Sequence, residues 1–248
     1  MSAVILALCA GAVIGLALGA LGGGGSVLTV PALIYLLGFT PVAATTAGLI
    51  IVGVTSATAL SAQARDGHVR WRTGLLFAAA GTGPAMLGGA LAGRLPAAVL
   101  TLAFAVLAAV AAVRMLRPRT PRESGAPVRA GRAAAAGAGL GAVTGVLGVG
   151  GGFLAVPALV DVVGLRMRAA VGTSLLVITV NSFAALAMRA GTAHGLDWAV
   201  IGPFAGAAIL GAWDGRRLSA KLPGATLQRV FAVVLLAVAG WMFVDGVV

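Results

Sequence analysis

The chain has 248 residues, of which 60% are hydrophobic and 9% charged, and its mean hydropathy is +1.08. That balance excludes a soluble globular domain, and the formal charge of +11 does not mark a nucleic-acid binder, because the basic residues sit in short loops between apolar runs with no interleaved aromatics. A single cysteine, Cys9, and two histidines, His68 and His194, supply neither a disulfide nor a metal or nucleophile–base constellation, so no enzyme and no cofactor is expected.

What remains is an all-α integral membrane protein, one polytopic helical bundle. Apolar runs of roughly 20 residues, the length that spans about 30 Å of hydrocarbon, recur along the whole chain. Residues 1 to 20 lack a basic leader and belong to an internal repeat, so they read as retained structure rather than a signal peptide. Glycine, proline and charge then predict helical pieces over 3–21, 25–38, 42–63, 73–93 and 96–116 in the first half. The second half has pieces over 133–147, 150–163, 168–189, 198–215 and 223–245. Between them "RPRTPRESGAPVRAGR" is a solvated connection. The organisation is a first transmembrane repeat over 1–116, a basic linker over 117–132 and a second transmembrane repeat over 133–248.

The halves are duplicates. Ala10 to Gly38 aligns with Ala136 to Gly164 without a gap, 15 of 29 positions being identical. The matches include Gly11, Gly15 and Gly19 with Gly137, Gly141 and Gly145, then Gly22, Gly24 and Gly25 with Gly148, Gly150 and Gly151, and Pro31 with Pro157. After a one-residue drift "LP" recurs at Leu95 and Leu222, and "FAV" at Phe104 and Phe231.

Lysine and arginine placement sets the orientation. If the first two pieces of each half form a hairpin that returns to its starting side, the loops at 65–72, 114–132, 166–168 and 216–221 share one compartment and hold 14 basic residues. Only Arg94 and Arg189 then fall opposite, with Arg229 inside a segment, whereas a single broken crossing would split the charges 10 to 6. The hairpin arrangement is expected, with the basic loops cytoplasmic. Three further crossings follow each hairpin, so the repeats are inverted, both termini face outside and the bundle has 8 to 10 membrane segments. Pieces of roughly 14 to 19 residues leave open whether the hairpins re-enter or span fully.

Inverted repeats with interrupted hydrophobic segments at matching positions point to a secondary transporter whose site lies where the broken helices meet. The glycine turns expose backbone N–H groups, and the helices that follow point their positive dipole ends at the same spot, which suits an anion. Candidate substrate-binding residues are Gly24, Gly25, Ser26, Thr45 and Thr46 in the first half, with Gly150, Gly151, Gly152, Thr173, Ser174, Asn181 and Ser182 in the second. Further polar side chains in the third pieces are Thr55, Ser56, Thr58 and Thr179. Neutral donors bind an oxyanion and still release it.

Simpler readings exist for several features. Glycine every fourth residue is how membrane helices pack closely, and hydroxyls in such helices often bond their own backbone. Asp161 can pair with Arg166 or Arg168, Asp214 with Arg216 and Arg217, and Arg229 can snorkel. Asp66, His68, His194 and Asp197 belong to solvated loops, while Trp71, Trp198 and Trp241 suit interfacial anchors.

The paired turns "GGGGSVLTVPAL" and "GVGGGFLAVPAL", followed by "AATTAG" at Ala43 to Gly48 and "AVGTSL" at Ala170 to Leu175, resemble the sulfite exporter TauE/SafE family over essentially the whole chain. The first half has Thr46-Ala47-Gly48 where the second has Gly172-Thr173-Ser174, so the half-sites differ. The resemblance implies transport of small sulfur anions, sulfite or organosulfonates, across a bacterial inner membrane, with the lipid bilayer and the anion as partners. Export is favoured because a potential negative inside drives each anionic charge outward by about 2.3 kcal/mol per 100 mV. An ion-coupled importer and an anion channel are the alternatives, and a homo-oligomer stays open.

Overall fold

The computed structural model describes residues 2–92, 97–116, 130–147, 152–188 and 197–247. Gly148, Gly150, Gly151, Arg94, Arg189, His194 and most of the 117–132 linker lie outside them. Among the described residues the chain is helical throughout, and four helices are long and apolar enough to cross a membrane.

Helix α1 runs over Ser2–Leu21 and is followed by a 3₁₀ turn at Gly22–Gly25 and the short α2 at Ser26–Pro31. At Pro31 the missing N–H ends the α-helical ladder, and the backbone widens into a π turn over Ala32–Leu36. Then come α3 (Pro41–Arg65), α4 (Trp71–Ala92) and α5 (Ala97–Leu116). The second half holds α6 (Ala130–Leu147), α7 (Gly152–Asp161), α8 (Met167–Met188), α9 (Trp198–Lys221) and α10 (Gly224–Val247). The two hairpins have unequal arms: α1, at 20 residues, is of spanning length, while α7 has 10 and α2 only six.

Two boundaries differ from the sequence reading. The basic stretch 216–221 is the end of α9 rather than a loop, since nothing in "RRLSAK" opposes a helix; the break waits for Leu222, held extended (ψ 141°) by the proline that follows. Likewise α6 starts at Ala130, taking the last residues of the expected linker.

The return arms end alike in both halves. Gly38 and Gly164 adopt φ of 69° and 83°, and the next amide reaches back six residues: Phe39 N–H donates to Leu33 O at 3.0 Å, and Leu165 N–H to Leu159 O at 2.9 Å. This is the left-handed helix cap that a side chain would strain.

Packing repeats the sequence offset. Gly11, Gly15 and Gly19 of α1 lie on the backbone of α9 at Phe204, Ala208 and Ala212; Gly137 and Gly141 of α6 lie on α4 at Phe77 and Gly81. A Cβ on any of these glycines would meet a carbonyl oxygen of the partner helix. The two long helices α3 and α8 cross between these pairs, and α5 packs on α10. Buried side chains fill the spaces, with Leu33, Ile51 and Phe204 on one side, Leu159 and Phe231 on the other, and Leu18, Leu175 and Ile178 at the centre. Large apolar side chains such as Val13, Leu87 and Leu210 face outward, as hydrocarbon requires.

The described parts of the four basic segments gather at one end. Arg216 pairs with Asp66 at 2.7 Å, Arg168 donates to the carbonyls of Ala220 and Leu222, and Gln228 donates to Met115 O. Helix α3 therefore ends, and α8 begins, at the same end of the molecule.

Replacing Gly15 or Gly141 with valine will drive α1 off α9 or α6 off α4, an overpacking loss of about 1–3 kcal/mol, seen as a lower unfolding temperature in detergent. Gly139→Ala, where a Cβ meets nothing within 4 Å, will not lower it.

Candidate functional site

Polar groups and glycines converge where the hairpins meet α3 and α8. Gly22, at φ 69°, reverses the chain after α1 and lies against α8; a Cβ there would come within 2.6 Å of Ser174 Oγ and 3.2 Å of the Val171 backbone. Gly25 packs against the backbone of Leu18, where a Cβ would be 2.5 Å from its nitrogen. One step on, Ser26 faces Gly152, the first residue of α7, whose Cβ would lie 2.6 Å from Ser26 Oγ. Ser26 and Gly152 occupy the same position in the two repeats.

A second such meeting lies at the crossing of α3 and α8. The Thr179 hydroxyl is 3.0 Å from Ser56 Oγ, and Ser182 covers Gly53, its Cβ 3.4 Å from where a Cβ of the glycine would be. An offset of 126 turns Gly53 into Thr179 and Ser56 into Ser182, so each contact is the other's counterpart.

Several of these donors are satisfied locally. Gly23 O accepts both the Ser26 amide and its hydroxyl, the latter at 2.7 Å. Ser174 Oγ donates to Val171 O at 2.8 Å, Ser56 Oγ to Gly53 O at 3.1 Å, and Thr179 Oγ1 to Leu175 O at 2.7 Å. The first glycine turn was expected to free several backbone N–H groups. It instead tightens into a 3₁₀ form that uses the Ser26 amide, since an unpaired N–H in an apolar interior costs several kcal/mol.

Of the remaining candidates, Thr46, Thr173 and Ser182 are buried and Thr45 is half-buried. Gly24 lies within the 3₁₀ turn, while Gly150 and Gly151 lie outside the described residues. Thr173 has a structural task, since its Oγ1 accepts the Arg70 N–H at 3.1 Å and so caps the start of α4. Asn181 Oδ1 and Thr55 Oγ1 are buried with no hydrogen-bond partner, and these two residues are again 126 apart. Both can serve a polar solute: the threonine by its hydroxyl, the asparagine by either face of its amide after a half-turn.

Gly22 and Gly53 are absent from the sequence-derived candidates, while Ser56 and Thr179 are noted in the sequence as polar side chains of the third pieces but not as binding residues. The 126-residue offset carried the signal for the last three, because the contacts of α3 with α8 recur at positions that this offset exchanges. Among the described residues no cluster of three or more histidine, cysteine, aspartate or glutamate side chains could hold a metal.

Comparison with known proteins matches residues 7–242 to a family described as "Sulfite exporter TauE/SafE". A "Probable membrane transporter protein" of Xylella fastidiosa strain Temecula1 / ATCC 700964 is 34% identical, the match covering 96% of this chain and 94% of that protein. A protein of the same description from strain 9a5c is 33% identical with the same coverage.

Thr173→Val will orphan the Arg70 amide and lower stability by about 1 kcal/mol in thermal unfolding, and Thr173→Ser will restore most of it.

Proposed function

We propose that this chain, which belongs to the sulfite exporter TauE/SafE family, is a secondary transporter that moves sulfite or an organosulfonate out across the bacterial inner membrane by alternating access. The observation that carries the reading is the contact of Ser26 with Gly152: equivalent positions of a duplicated chain touch where both broken helices turn. Equivalent residues meet only on a two-fold axis. The gathering of the α3 end and the α8 start beside the basic segments favours an axis in the membrane plane, hence inverted repeats over 1–116 and 133–248.

The proposed substrate site is the space between the glycine turns and the polar middle of α3 and α8. Ser26, Ser174, Ser182, Asn181, Thr45 and Thr46 surround it with neutral groups, and Gly24, Gly25 and Gly150 to Gly152 let backbone approach the anion closely. No fixed positive charge holds the solute, which favours release as well as binding. In the closed form the hydroxyls of Ser26 and Ser174 are spent on Gly23 O and Val171 O; each turns to the anion by rotating about one side-chain bond. Opening the 3₁₀ turn frees the Ser26 amide as well, so substrate binding and hairpin movement are linked.

Direction follows from charge. A membrane potential negative inside drives an anion outward by about 2.3 kcal/mol per charge per 100 mV, so export needs no coupling ion. The basic loops then face the cytoplasm and both termini the outside.

In proteoliposomes preloaded with unlabelled sulfite and free of ion gradients, labelled sulfite will accumulate transiently; equilibration without overshoot would identify a channel. Gly152→Ala, whose methyl has the movable side chains of Ser26 and Ile178 as its nearest neighbours, will insert normally yet slow this counterflow by about tenfold, the factor that corresponds to about 1.4 kcal/mol.

A further inference from the structure

A narrow cleft of about 20 Å³ opens at the end of the bundle where the basic segments gather, lined by Gln63, Asp66, His68, Arg168, Val171 and Arg216 among others. Its charged lining carries two guanidinium groups and one carboxylate. Its wall at Val171 is also the wall of the glycine turn, since the Val171 backbone lies 3.2 Å from where a Cβ of Gly22 would be. One residue thus separates the cleft from the proposed substrate site.

Arg216 is incompletely used. Its Nη1 donates to Asp66 at 2.7 Å, while its Nε is buried without a partner. A guanidinium presents Nη1 and Nη2 side by side at its end, and Nε and Nη2 side by side along its edge, each the spacing that two oxygens of one carboxylate, sulfite or sulfonate group match. Asp66 takes only one arm. The ion pair is also part-exposed, 32% at the arginine and 40% at the aspartate, and such pairs are weak enough to be exchanged. Arg168, by contrast, is held on the carbonyls that close α9.

We propose that this cleft is an anion-binding vestibule in which a small oxyanion displaces Asp66 from Arg216 before passing Val171 to the Gly22 turn. Asp66 is a resident stand-in for the solute. It sits in the α3–α4 connection, which is otherwise fixed by the Arg70 amide on Thr173 Oγ1 and by His68 lying over Gly172. Freed of Arg216, that connection can lift from α9. The inference rests on the transport reading, and it adds an entry site on the basic face alone.

The test titrates sulfite, then methanesulfonate, into full-length protein in detergent by calorimetry, for wild type, Asp66→Asn, Arg216→Lys and Arg216→Gln. Removing the competing carboxylate will tighten binding about tenfold; Arg216→Gln will weaken it at least about tenfold, and lysine, lacking the fork, will fall between. Counterflow in right-side-out and everted vesicles gives the second readout: Arg216→Lys will raise KM from the basic face only and leave the maximal rate. Binding indifferent to both positions, or absent in every variant, would overturn the vestibule, as would a KM change equal from both faces. If binding shifts as stated but wild type shows no counterflow, the vestibule stands and the transport reading falls. If counterflow runs while binding ignores Asp66 and Arg216, the reverse holds.

Discussion

Backbone contact between helices is the constraint on which this architecture depends. In hydrocarbon no water drives helices together, so close packing and complementary surfaces must do so. At Gly11, Gly15 and Gly19 the α1 backbone rests on that of α9, and at Gly137 and Gly141 α6 rests on α4. Each pair joins a hairpin arm of one half to a helix of the other. The halves therefore hold each other's hairpins in place, and neither core is complete alone.

That exchange decides where the polar groups lie. With α1 clamped along α9, its end reaches the start of α8, and Gly22 meets Ser174. The α3–α8 crossing then brings Ser56 to Thr179 and Gly53 to Ser182. The polar centre is consequently made of positions that pair across the duplication. On the transport reading proposed above, a solute at this centre would contact both halves at once.

The same physics explains why several polar groups at the centre bond locally. An apolar surround penalises unpaired N–H and O–H groups, so the 3₁₀ turn and the serine hydroxyls satisfy one another. Near the basic end, where water reaches, charges can be used instead: Asp66 and Arg216 join the end of α3 to the end of α9. The interior thus carries neutral polar groups and the rim a part-exposed ion pair.

Much of this was legible in the chain itself. Apolar run lengths fixed the class, glycine and proline marked the breaks, and the 15 identities in 29 residues announced the repeat, because each expresses a local property of the residues concerned. The helix pieces fall close to their predicted bounds for the same reason. What the sequence could not decide is which helix touches which. Gly15 and Gly202 look alike in sequence, yet one lies on Ala208 and the other meets nothing within 4 Å. Thr173 reads as a side chain with no structural task until Arg70, 103 residues away, is found donating to its oxygen. Asp66 and Arg216, 150 residues apart, reveal their partnership only when α3 and α9 end side by side. Local periodicity records what a residue prefers; the long-range approach of two backbones, set by side chains throughout both halves, determines what it meets.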